Sequence, residues 1–203
     1  MGLLRQWFGP SKDEVWRQLA SEIGADWVEG GFWKGNKVVA HVKEWEFVLD
    51  TYVVNTGKTT IVYTRMRAPY VNPAGFRFTI YRRSSFTWLG KKLGMQDIEI
   101  GNTDFDRDFV VQSNDESKVR ELFDDGAIRD AILLQPAIHL TVKDDEGWFG
   151  ASFPDGVDEL CFQVTGTIKD PARLKALFDL FGVVLDRLCR IGAAYEDRPA
   201  ITL

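Results

Sequence analysis

The chain has 203 residues, 45% hydrophobic and 27% charged, with 25 basic and 30 acidic side chains and a net charge of −5. That balance is ordinary for a soluble globular protein, and a chain of this length buries roughly 70% of its unfolded surface, so it needs no metal or disulfide staple. No run of about 18 apolar residues occurs, which excludes a membrane-spanning helix, and the acidic balance argues against nucleic acid as the main ligand.

The opening stretch MGLLRQWFGP lacks the apolar core of a secretory signal, and Gln6 breaks the myristoylation pattern. Ser11 followed by Glu14 is a capping box, and Val15, Leu19 and Ile23 recur at helical spacing, so a helix is expected over 12–23, ended by Gly24. Strand signals then run to about residue 110. Val38, Ala40 and Val42 alternate with Lys37, His41 and Lys43, and the runs TTIVYTRM, FRFTIYRR, DIEIG and DFVVQS follow.

Gly57-Lys58-Thr59, within TYVVNTGKTTIVYT, ends like a phosphate-binding loop. Such a loop needs a glycine where Tyr52 stands and a helix where TTIVYT follows. NTGK between two β-rich runs reads instead as a hairpin turn.

Ser113-Asn114-Asp115 opens a helical pair, DESKVRELFDD and GAIRDAILLQ, stopped by Pro136. Three further strand runs are AIHLTVKD, GWFGASF and ELCFQVTGTI. Asp170 as N-cap and Pro171 at the first helical position begin the last helix, whose Leu174, Leu177, Phe178, Phe181, Leu185 and Leu188 form one apolar stripe. The tail AYEDRPAITL is expected to be an irregular arm. The pattern specifies an α+β fold. It is a largely antiparallel sheet packed against an N-terminal helix, a central helical pair and a long C-terminal helix, in one domain over 1–203. A division into two β-rich subdomains near residue 96 is the alternative.

Cys161 and Cys189 sit among apolar neighbours and read as buried free thiols in a reducing, cytoplasmic compartment. His41 and His139 lie far apart in alternating strand patterns, with no cysteine at ligand spacing, so neither a metal nor another cofactor is expected. No G-x-S-x-G elbow appears. Cys161 and His139 fall on runs that could neighbour each other, a coincidence that carries little weight. Asp104, Asp106 and Asp108 alternate in DFDRDF, and in a strand they would share one face. They read first as a solvated edge, and second as an acidic site able to bind a cation or act as catalytic carboxylates.

Charge is unevenly spread. Residues 51–96 hold eight basic side chains, Lys58, Arg65, Arg67, Arg77, Arg82, Arg83, Lys91 and Lys92, and no acidic one. Residues 97–159 hold 17 acidic and five basic side chains. Basic strands facing acidic strands would neutralise this contrast inside the fold. Otherwise Arg65, Arg67, Arg77, Arg82, Arg83, Lys91 and Lys92, interleaved with aromatics, would form a surface for an anionic partner. SSFTWLGKKLG and MGLLRQWF also mix apolar, aromatic and cationic groups as a weak peripheral membrane contact does. Such groups also pack onto the chain's own body or a second copy of it.

Several stretches resemble, as a set, a group of uncharacterised bacterial proteins of about 200 residues: EVWRQLASEIGADWVEGGFWKG, TYVVNTGKTTIVYTRMRAPYVNPAGFRFTIYR, MQDIEIGNTDFDRDF, KDDEGWFGASFPDGVDEL and LDRLCRIGAAYED. The similarity spans nearly the whole chain. It implies a bacterial cytosolic setting, and since the group has no assigned activity, no catalytic or binding residue carries over. The functional expectation is a non-enzymatic binding or interaction protein with an anionic partner, such as an acidic protein. The rival is a small-ligand protein or hydrolase-like enzyme with a pocket between the sheet and the C-terminal helix.

Overall fold

Ser11 has an extended backbone, and its hydroxyl accepts from the Glu14 amide at 3.2 Å while the Glu14 carboxylate accepts from the Ser11 amide at 2.9 Å. The reciprocal pair satisfies two amides that the first helical turn would leave bare. The helix it opens, α1, spans Lys12–Ile23 and ends at Gly24, whose φ of 68° suits a residue without Cβ. The computed structural model describes residues 9–31, 35–85, 96–144, 153–199, 201 and 203.

Among these residues nine strands form one antiparallel sheet. They are β1 (Asp26–Val28), β2 (Lys37–Val42), β3 (Trp45–Asn55), β4 (Thr60–Val71), β5 (Phe78–Arg82), β6 (Gln96–Asp97), β7 (Phe109–Ser113), β8 (His139–Lys143) and β9 (Val157–Thr165). Their order is β1-β2-β3-β4-β9-β8-β5-β7-β6. β9 enters between β4 and β8, and β5 lies between β8 and β7, so strands from before and after residue 96 interleave. The NTGK segment is the expected turn. Thr56 donates to the Thr59 carbonyl at 3.0 Å, the Asn55 side chain accepts from the Gly57 amide at 2.8 Å, and Gly57 has a φ of 79°.

Alternation gives the sheet two unlike faces. Val38, Ala40, Phe47, Leu49, Met66, Ala68, Leu140, Leu160 and Phe162 point to the core, which is completed by α1, α3 (Glu116–Phe123), α4 (Gly126–Leu133) and α5 (Pro171–Arg190). The predicted stripe of α5 is buried, and Phe47 meets Phe178 and Phe181 with ring centroids 6.5 and 5.8 Å apart. These rings pack between the sheet and the C-terminal helix, the region where a pocket was anticipated. Asp170 caps α5 as expected, accepting from the Ala172 and Arg173 amides. Asp170→Ala is expected to lower stability by about 1 kcal/mol in urea denaturation, because two amides lose their acceptor.

The sequence misleads at DFDRDF. Thr103–Asp108 is a short helix, α2, not a strand. Asn102 caps it through the Phe105 amide, Asp106 accepts from the Ile100 and Gly101 amides, and Phe105 stacks on Phe109 at 4.5 Å. The Asn102 cap and the Asp106 carboxylate turned back onto the Ile100 and Gly101 amides outweigh the two-residue alternation of the aspartates. DIEIG also contributes less than expected, since only Gln96–Asp97 pairs as a strand. Most of GWFGASF lies outside the described residues. No described helix is long and apolar enough to cross a membrane.

Candidate functional site

The helices cover one face of the sheet. The other face carries the charges. Asp50 on β3 stands directly across from Arg65 on β4, and the two form a bidentate pair at 2.9 and 2.8 Å. Arg67, two residues on and on the same face, reaches the same Asp50 oxygen at 2.8 Å and lies 3.9 Å from Glu159 on β9. Lys143 on β8 stands across from Glu159 and donates to the Cys161 sulfur at 3.3 Å. The row thus runs over four adjacent strands. Arg65 also lies over the Tyr52 ring at 4.9 Å, and Tyr52 stacks on Tyr63 and donates to Gln163 at 3.0 Å. Burial holds the Tyr52 phenol up at about 12, so it remains a donor at neutral pH.

Glu159 is 1% exposed, and neither carboxylate oxygen has a hydrogen-bond donor. Burial pushes its carboxyl above the usual carboxylate range, and Arg67 only partly opposes this. An acid raised in the folded state adds most to stability at low pH, below its unfolded value, and that contribution is lost as pH rises through the folded value. Glu159→Gln removes this dependence. The variant's stability relative to the parent is therefore expected to increase as pH rises above the ordinary glutamate value of 4.5, read as the difference of two urea curves at each pH. A constant difference would show that Glu159 keeps an ordinary pKa.

Cys161 and His139 do lie on neighbouring strands. Cys161 is across from Thr141, however, and His139 is across from Tyr81 and stacks with it at 6.3 Å. Burial raises the Cys161 thiol to about 11, so it stays protonated and unreactive near neutrality.

Beside the charged row the same face carries the end of the chain. Tyr195 donates to the Val71 carbonyl at 3.1 Å, and Pro199 is buried. A cleft of 390 Å³ lies between this arm and strands β2–β4. Its walls include His41, Glu44, Glu46, Pro69, Arg198 and Pro199. The volume lies within the range of small-molecule and peptide sites, and the mixed charge suits a partner carrying both signs.

The structure does not gather the basic residues singled out from the sequence into one surface. Arg65 and Arg67 hold Asp50. Arg77 pairs with Asp144 at 2.7 Å and Asp158 at 3.4 Å. Arg82 donates to the Leu133 and Gln135 carbonyls at the end of α4 and lies over the Phe109 ring. Arg83 donates to the Asp106 carbonyl. Lys91 and Lys92 lie outside the described residues. Neutralisation inside the fold therefore accounts for Arg65, Arg67 and Arg77. Of the acidic alternative, Asp104 and Asp108 pair with the exposed Arg107, while Asp106 holds the turn before α2. Their three side chains serve α2 and its entry rather than a shared strand face. No group of three or more His, Cys, Asp or Glu among the described residues is arranged to hold a metal.

An open antiparallel sheet with helices on one face and a fixed polar row on the other is an α+β scaffold. The mycobacterial trehalose monomycolate transport factor A, TtfA, has a crystal structure similar to it, with a TM-score of 0.56, 8% sequence identity, and coverage of 94% of this chain and 98% of that one. At this identity the likeness is one of fold. No protein-family profile and no curated protein matches the sequence.

Proposed function

We propose that this chain is a binding protein with a transport-associated role, acting as one unit through the face of its sheet that no described helix covers. The observation that carries the reading is the juxtaposition on that face of a rigid ion-paired row and an open, mixed-charge cleft. A preformed, cross-linked surface meets a partner with little ordering cost. The fold shared end to end with a protein described as a transport factor supports the same reading. The five described arginines of the basic segment already hold carboxylates or carbonyls, which favours the cleft over an arginine stripe as the contact surface. A bacterial cytoplasmic setting is consistent with the free thiols Cys161 and Cys189.

The test compares proteins recovered with the tagged parent and with a Glu44→Lys/Glu46→Lys chain after crosslinking in the native host. Loss of a defined partner from the double variant, with the fold intact by circular dichroism, is the expected result. Identical partner sets, or none with the parent, would overturn the reading.

A further inference from the structure

We propose that the surface of β2–β4 now partly covered by the chain's own C-terminal arm, with the open cleft beside it, is a docking site for an extended partner peptide with the order basic–Pro–x–aliphatic. The proposal rests on the binding reading of the same face and names its partner class.

The arm leaves α5 through Gly192, whose φ is 66°. Tyr195 makes an antiparallel bridge to Val71, and Glu196 lies 3.6 Å from the Lys43 ammonium, which also pairs with Asp186 at 2.7 Å. Lys43 sits in the tight β2–β3 turn with a φ of 55°, a left-handed conformation uncommon for a residue with a side chain. From there Arg198, Pro199 and Ile201 line the cleft together with Pro69, Glu46 and His41. At the far end of β2 the Leu203 carbonyl accepts from the Lys37 ammonium at 2.7 Å. Described arm residues therefore lie near both ends of β2, a strand of about 20 Å at 3.3 Å per residue.

Its described residues differ in burial. Pro199 is buried and Ile201 and Leu203 are half-buried, while Glu196, Asp197 and Arg198 are exposed. Val39 and Val48, on the same sheet face, are 7% and 0% exposed. Arg198 shares the cleft with Glu44 and Glu46, which fits a cation at the position before proline. Past Tyr195, the arm's described links to the sheet come from Lys43 and Lys37 side chains rather than a strand ladder. An arm held that way exchanges with a competitor of the same chemistry once the competitor exceeds its effective concentration, of millimolar order.

The probe is a fluorescent octapeptide with the sequence of residues 196–203, titrated by anisotropy against full-length parent and full-length Pro199→Asp, whose own arm has lost its buried anchor. The variant is expected to bind at least about tenfold more tightly than the parent, because no intact arm competes. A peptide carrying aspartate in place of its proline should bind neither. Full-length Lys43→Gly, which removes the Glu196 tether and relaxes the turn, repeats the measurement should Pro199→Asp misfold. Equal binding by parent and folded variant overturns the proposal, as does no binding to either variant. Arm-dependent dimerisation of the parent at micromolar concentration also overturns it, since the groove would then serve a second copy. Failure of the peptide while partners are still lost from Glu44→Lys/Glu46→Lys overturns the peptide class and leaves the binding role standing.

Discussion

Arg67→Met is expected to destabilise the chain by about 3–5 kcal/mol, because it strips the nearest counter-charge from a buried carboxylate. Arg67 is 5% exposed and serves two acids, Asp50 at 2.8 Å and Glu159 at 3.9 Å. Asp50 keeps the bidentate Arg65 pair after the change. Glu159 retains Lys143 across the strand, whose ammonium is drawn to the Cys161 sulfur, and the weaker influence of Arg65. Most of the cost therefore belongs to Glu159. The double variant Arg67→Met/Glu159→Gln should recover a coupling energy of roughly 1–3 kcal/mol in a urea-denaturation cycle. Additive effects would mean that the two side chains do not interact.

Phe47→Ala should cost about as much, roughly 3–5 kcal/mol, through a different cause. Phe47 is fully buried and wedges between Phe178 and Phe181 where the sheet meets α5. Truncation leaves a cavity that neither a nine-stranded sheet nor a 20-residue helix can close by a small shift. A fall in melting temperature of about 10–15 °C is expected by calorimetry. A fall of only a degree or two would mean that the helix and sheet can settle onto each other.

The elements easiest to foresee carry local signals. The Ser11–Glu14 box and the Asp170-Pro171 start need no knowledge of the rest of the chain. The hairpin at Gly57 also fixes the β3–β4 register, and counting back from it places Asp50 opposite Arg65. Half of the charged row was thus legible in principle. The other half was not, because Arg67 meets Glu159 only through the non-local pairing of β4 with β9. The aspartates of α2 misled because alternation over six residues fits either period, and only Asn102 as an N-cap favoured a helix. The arm's less exposed positions were present as Pro199, Ile201 and Leu203, yet a short polar tail with one proline gives no hint of the surface beneath it.

A photocrosslinking amino acid placed in living cells at His41, exposed on the face that no described helix covers, and separately at Asp179, exposed on the outer side of α5, tests the assignment of that face most directly. Discrete adducts from His41 with none from Asp179 are the predicted outcome. Adducts confined to Asp179, or equal at both positions, would contradict it.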